Sequence, residues 1–247
     1  MINEILEAKK RWIEGLPNFH GLFKYSIRNF QQAIQRQDKI SIIAEIKPTS
    51  PVLGVLQDKP NIGSIVNAYQ KGGAKALSIL TEEYYFGGTL KNISIARESS
   101  NLPILCKDFI ISSKQLPWIC AAGADACLLI LSILEIESAK ILKKEIEQLG
   151  MQAVVEIHTE KELESALQMD SKIILINQRN LQTMTIDPNT TANLINKINK
   201  NITVISASGF NNKTSILSLP KKVDAVLIGT FLMQQTDPEK ILFEILS

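Results

Sequence analysis

The sequence predicts an α/β fold, a (β/α)8 TIM barrel with an N-terminal helical extension, and three observations carry that reading. Short apolar, β-rich runs recur eight times along the 247 residues. Segments with helical periodicity separate these runs from the first to the last. The glycine-rich dinucleotide fingerprint that an open doubly wound sheet would carry after its first strand is absent. Strict strand–helix alternation over this length suits a closed barrel.

Residues 1–40 precede the first run. Within them Ile2, Ile5, Leu6, Trp12 and Ile13 fall on one helical face, so a helix is expected to pack on the barrel. The runs are SIIAEIK from Ser41, ALSILTE from Ala76, PILCKDF from Pro103, ACLLILS from Ala126, AVVEIHT from Ala153, IILINQR from Ile173, TVISASG from Thr203 and AVLIGTF from Ala225. Most are almost unbroken in apolar character, as parallel strands covered on both faces should be. Between them, LEIESAKILKKEIEQLG has apolar positions at three- and four-residue steps and closes on Gly150. Thr159 and Glu162 form a capping box for EKELESALQM. Asp187-Pro188 and Asp237-Pro238 each read as an N-cap followed by proline at the first helical position. No low-complexity linker divides the chain, so 1–247 is expected to be one domain, with 1–40 as its extension.

Composition narrows the function. An apolar fraction of 45% fills a sizeable core, and a net charge of +2 without a basic block disfavours nucleic acid. No apolar run approaches membrane-spanning length, and the N-terminus MINEILEAKKRWIEGL is mixed in charge, unlike a signal peptide. Cys106, Cys120 and Cys127 lie in apolar surroundings without metal-ligand spacing, which points to buried thiols, a reducing cytoplasm and no metal.

In a barrel the chemistry gathers at the C-terminal strand ends. Polar residues cluster there: Glu45 and Lys47, Thr81 and Glu82, Lys107 and Asp108, Ser132, Glu156, Asn177 and Arg179, Ser206 and Ser208, Gly229 and Thr230. Residues two apart share a strand face, so Glu45/Lys47 and Asn177/Arg179 can both look inward. A solvated strand end or a structural ion pair would account for any single pair as well. Together, two lysines, carboxylates, an asparagine and an arginine suit a small anionic substrate and proton transfer. SASGF and LIGTF add small residues where barrels often hold phosphate through backbone N–H groups.

The motifs IIAEIKPTSPVLG, ALSILTEEYYFGGTL, LPILCKDFI, GADACLLI, VVEIHTEKEL, INQRNL, SASGF and LIGTFLM, in this order over nearly the whole chain, resemble those of the indole-3-glycerol phosphate synthase family. The resemblance implies a cytoplasmic carboxy-lyase of tryptophan biosynthesis, taken here as a monomer, with a phosphorylated small-molecule substrate and no cofactor. It implies that a ring carbon of a substituted anthranilate attacks a carbonyl, CO₂ leaves, and water is eliminated. It further implies Lys107 as the acid at the carbonyl, and Lys47 as holder of the anthranilate carboxylate and proton source at dehydration. Glu156 becomes the base or electrostatic partner, and Glu45 orients Lys47 or acts as a base. Asn177, Arg179 and Ser208 surround the carboxylate and hydroxyls, Phe86 and Phe109 wall the aromatic ring, and Ser50, Gly209, Gly229 and Thr230 bind phosphate.

The sequence also departs from that family's pattern. Ala207 stands where a Glu is usual, Pro48 where a basic residue is usual, and Val52 where a serine is usual. Leu175 and Cys106 replace a small residue and an arginine, and Pro117 is expected to intrude in the helix after the third strand. These changes raise the alternative of a weakened or specialised paralogue that binds an anionic indole or anthranilate metabolite.

Overall fold

The computed structural model describes residues 1–247, and in it eight parallel strands close into a barrel. In chain order they are Ser41–Ile46, Ala76–Leu80, Ile104–Lys107, Ala126–Ile130, Gln152–Ile157, Ile173–Asn177, Thr203–Ala207 and Ala225–Ile228. Each pairs with the next, and the first closes the ring on the eighth, Ser41 opposite Ala225. All eight sequence runs become strands, because a continuous apolar run can be buried only where both faces are covered.

Strand alternation divides the core in two. Outward residues such as Ile42, Ala44, Ile46, Leu77 and Ile79 pack under the helices. Inward residues such as Ile43, Leu105, Leu128, Val154, Leu175, Ile205 and Leu227 fill the barrel. The apolar filling stops one residue pair short of the C-terminal rim, where Glu45, Lys107, Glu156 and Asn177 take the inward positions.

The first forty residues engage both ends of the barrel. Helix Ile2–Glu14 buries Ile5, Ala8, Lys9 and Ile13. Lys9 is 2% exposed; its ammonium lies 2.8 Å from Asp108 Oδ1 and 4.7 Å from the centre of the Trp12 ring. This places the helix at the rim. The chain then crosses to the opposite end, where Phe30 and Ile34, fully buried, plug the floor beside Ala76, Ala126 and Ala225. There the main-chain N–H groups of Arg28, Gln31 and Arg36 donate to the side chains of Asp125, Gln152 and Asp224 at 2.6, 2.9 and 3.1 Å. Asp125 is also held by Arg97 at 2.8 Å, so the floor is an apolar plug ringed by satisfied polar groups.

Several local expectations need correction. Asp187 does not cap a helix: its Oδ1 accepts Asn189 N–H in a tight turn, and the helix starts later, at Thr190–Ile195. Pro117 does not intrude, because it sits in the first turn of Leu116–Ala122, where its missing N–H has no partner to lose. Thr159 caps as expected, but Glu162 reaches back to His158 N–H at 2.6 Å rather than to Thr159. Asp237-Pro238 opens Pro238–Leu246 as expected, and Gly150, with φ +81°, follows Ile136–Gln148. No helix is long and apolar enough to cross a membrane.

Candidate active site

A cavity of about 600 Å³ opens at the C-terminal end of the barrel. Glu45, Lys47, Ser50, Phe86, Lys107, Phe109, Glu156, Asn177, Arg179, Ser208, Gly209, Gly229 and Thr230 all line it. Thr81, Glu82, Ser132 and Ser206 do not. Thr81 donates to Asp108 at 2.6 Å, and Ser206 shares a hydrogen bond with Thr191 on the outer face. Glu82 accepts Tyr84, Tyr85 and Phe86 N–H groups, shaping the loop that carries Phe86. These four lie in the wrong strand phase or beyond the strand end, so nearness to the rim in sequence did not bring them into the cavity.

Two acid–lysine pairs meet in the cavity. Lys47 Nζ lies 3.6 Å from Glu45 Oε1, both on the first strand's inward phase. Glu45 Oε2 accepts Ser78 Oγ at 3.2 Å. Gly229 lies against the same carboxylate, and a Cβ there would stand 2.2 Å from Glu45 Oε1, so its missing side chain makes the seat for Glu45. The second pair is Lys107 and Glu156, from the third and fifth strands, 3.5 Å apart. Asn177 Nδ2 donates to Glu156 Oε1 at 2.9 Å, and Ser208 Oγ donates to Asn177 Oδ1 at 2.8 Å. Ser208 reaches this position with φ +74°, costly for a non-glycine residue and typical of functional turns.

Charge follows this geometry. Burial pushes the Lys107 ammonium down, but Glu156, Glu45 and Asp108 outweigh it and hold the group above the ordinary lysine value. Burial pushes Glu156 up, yet Lys107, His158 and Asn177 bring its carboxyl down to about 2. Lys107 is therefore an ammonium, and Glu156 a carboxylate, across the working pH range.

Phe86 and Phe109 face one another with centroids 6.2 Å apart and planes tilted by 40°. Ser50 Oγ accepts the Val52 and Leu53 N–H groups at 3.4 Å, which leaves its own proton to donate. Val52 and Leu53 form the tip of a two-stranded ribbon, Thr49–Ser50 with Gly54–Val55, over the opening. Pro48 anchors that ribbon, its carbonyl accepting Leu56 and Gln57 N–H groups. Arg179 donates to the Met184 carbonyl at 2.8 Å, tying down the loop that brings Leu181, Met184 and Ile186 to the cavity.

The profile of the indole-3-glycerol phosphate synthase family matches residues 2–245. The chain belongs to that family. A Bacillus cereus indole-3-glycerol phosphate synthase is 35% identical over 235 residues, 94% of this chain and 92% of that one. The Desulforamulus reducens synthase is 40% identical over 223 residues, covering 88% and 83%. Among solved structures, thiamine phosphate pyrophosphorylase from Pyrococcus furiosus superposes with a TM-score of 0.60 at 16% identity, covering 88% of this chain and 96% of its own. That likeness concerns the barrel alone.

Of the departures from the synthase pattern, Ala207 is the one in the barrel strands that lines the cavity. It is 2% exposed, lies between Asn177 and Leu227 in register, and lines the cavity with a methyl group. Leu175 and Cys106 lie below and behind the cavity, in the inward filling and the outer layer. Sequence reasoning passed over Ser78, His158 and Glu162 as site residues. Strand phase could have found two of them, since Ser78 and His158 share a face with Leu80 and Glu156.

Proposed function

We propose that this chain works as an indole-3-glycerol phosphate synthase, with Lys107 as the acid of ring closure. The reaction converts 1-(2-carboxyphenylamino)-1-deoxyribulose 5-phosphate into indole-3-glycerol phosphate, CO₂ and water. As the ring carbon attacks, Lys107 gives its proton to the carbonyl oxygen, and the positive charge left on the aniline nitrogen draws out the electrons of the departing carboxylate. Glu156, held ionised, stabilises that charge and the ammonium form of Lys107; it is an electrostatic partner, since a carboxyl near 2 is a poor proton acceptor. Lys47 grips the anthranilate carboxylate and, once CO₂ has gone, protonates the leaving hydroxyl. Glu45, with Ser78 as its side-chain donor, takes the proton released on re-aromatisation. Asn177, Ser208 and Arg179 bind the carboxylate and hydroxyls, and Phe86 and Phe109 flank the ring. Ser50, Gly209, Gly229 and Thr230, assisted by Lys47, hold the phosphate. The chain acts as one domain and a monomer, in the cytoplasm; the buried, unpaired Cys106, Cys120 and Cys127 support that location.

The observation that carries this reading is the convergence of two ammonium groups, from different strands and each beside its own carboxylate, on one cavity. Purified protein given the substrate should develop indole fluorescence, and Lys107→Ala should be almost silent. A flat trace from the wild type at high enzyme concentration would overturn the reading. Ala207 favours a second one, a weakened paralogue that binds product without turning over substrate. Tight product binding in a protein with no turnover would identify it.

A further inference from the structure

His158 is a largely buried ionisable group beside Glu156 that the catalytic assignment leaves unused. It follows Glu156 by two residues, so both side chains leave the strand on the same side. Its side chain is 9% exposed, with Nε2 3.4 Å from Glu156 Oε1 and Nδ1 3.3 Å from Glu162 Oε2. Glu162 is itself fixed, because the same Oε2 accepts the His158 main-chain N–H at 2.6 Å. Glu156 Oε1 thus faces His158 and Asn177, while Oε2 has no aligned hydrogen bond and faces Lys107 at 3.5 Å.

The surroundings leave few other charges to consider. The Leu131–Ile133 turn and the strand Ile173–Asn177, packed against this strand, carry no ionisable side chain. Of the charged residues on the outer helices Ile136–Gln148 and Glu160–Gln168, Glu162 is the one within ion-pair reach of the ring. Lys107 is the next charge beyond Glu156.

We propose that His158 is a positioning residue for the synthase reaction: an imidazolium clamped between Glu162 and Glu156 that keeps Glu156 ionised, its free oxygen aimed at Lys107. The proposal rests on the synthase reading and adds a residue to it. His158 Nδ1 hydrogen-bonds Glu162 Oε2, while Nε2 faces Glu156 Oε1 as a charge contact without an aligned hydrogen bond. Ionised carboxylates only accept, so a ring with one on each side suits a proton on both nitrogens. Burial pushes the imidazole down, but the two carboxylates outweigh it and bring the group up to about 9. The catalytic consequence lies in the moment after Lys107 has given up its proton. Glu156 would then be a buried carboxylate beside a neutral amine, and a second positive charge behind it keeps it from taking a proton itself.

The sequence holds two histidines, His20 and His158, so nitrogen NMR of the imidazoles in the full chain reads this directly, with His20→Gln removing the other signal. Wild-type His158 should be doubly protonated at neutral pH and titrate near 9. His158→Gln should lower kcat about 10- to 100-fold with little change in KM, as loss of an orienting partner does. It should also bring into the kcat profile an acidic limb that the wild type lacks, as Glu156 loses one of its counter-charges. His158→Lys should restore the flat profile. A neutral imidazole at pH 7 in the wild type, or unchanged kcat and pH profile in His158→Gln, would overturn the proposal. If His158→Gln fails to fold, Glu162→Gln decides: the His158 midpoint must fall, and an unmoved midpoint rejects the clamp. The NMR measurement needs no turnover, so it fails or succeeds independently of the synthase assay.

Discussion

The Lys47–Glu45 and Lys107–Glu156 pairs are separated by almost the same distance, 3.6 and 3.5 Å, yet they are built differently. The first is made within one strand, and its carboxylate has Ser78 as side-chain donor and rests in the space that Gly229 leaves. The second spans two non-adjacent strands, and its carboxylate, 1% exposed, is surrounded by Lys107, Asn177 and His158. Equal separation therefore does not mean equal chemistry. Where cationic and amide donors crowd a carboxylate, as at Glu156, it becomes a fixed charge. This is why the proposed mechanism gives Glu156 an electrostatic task and leaves proton transfer to Glu45.

The comparison can be broken first at the lysines. Lys107→Ala should cost about 10³-fold in kcat, the scale of a lost general acid. Lys47→Ala should cost about 10²-fold with a raised KM, since it loses substrate grip as well. Equal losses with unchanged KM in both would erase the distinction.

Next come the carboxylates. Because Glu156 is held near 2, it stays ionised as pH falls, and kcat/KM should show no acidic limb from Glu156 above about pH 4. An acidic limb that disappears in Glu156→Gln would contradict this. A smaller effect is expected at Gly229→Ala, where the new Cβ would displace Glu45 Oε1 and lower kcat by about 10-fold. Gly229 lies at φ −116°, so the backbone accepts alanine; a loss confined to kcat reports on Glu45, and a raised KM on the phosphate site that Gly229 also lines.

The smallest effect concerns stability. His158 is raised from 6.5 to about 9, so its stabilising charge is complete below pH 6.5 and is lost as pH rises through 9. The stability gap between wild type and His158→Gln should therefore shrink by about 1–3 kcal/mol between those limits. A gap that widens with pH would reverse the sign of the argument.

How much of this was readable beforehand depends on range along the chain. The eight strands were legible because apolar continuity is local, and the Glu45–Lys47 pair was legible because two-residue periodicity is too. The meeting of Lys107 with Glu156 depends on the barrel's curvature and closure, which no single segment encodes. Lys9 and Asp108 are separated still further in sequence, and a lysine on a mixed-charge helix reads as solvated until the rim is seen behind it. Strand phase would have excluded Ser206, which alternates with the inward Ile205 and Ala207. At Asp187 the local signal was real but ambiguous, since an Asx turn and an N-cap use the same side chain.

The amino-terminal forty residues have a consequence for synthesis. Their docking points arrive in order along the nascent chain: Asp108 and Asp125 near its middle, Gln152 beyond it and Asp224 close to the end. This segment, made before every strand it docks on, is thus among the last to be secured. Until Asp224 emerges, the plug carrying Phe30 and Ile34 has no finished ring to enter, and its apolar side chains lack their final cover.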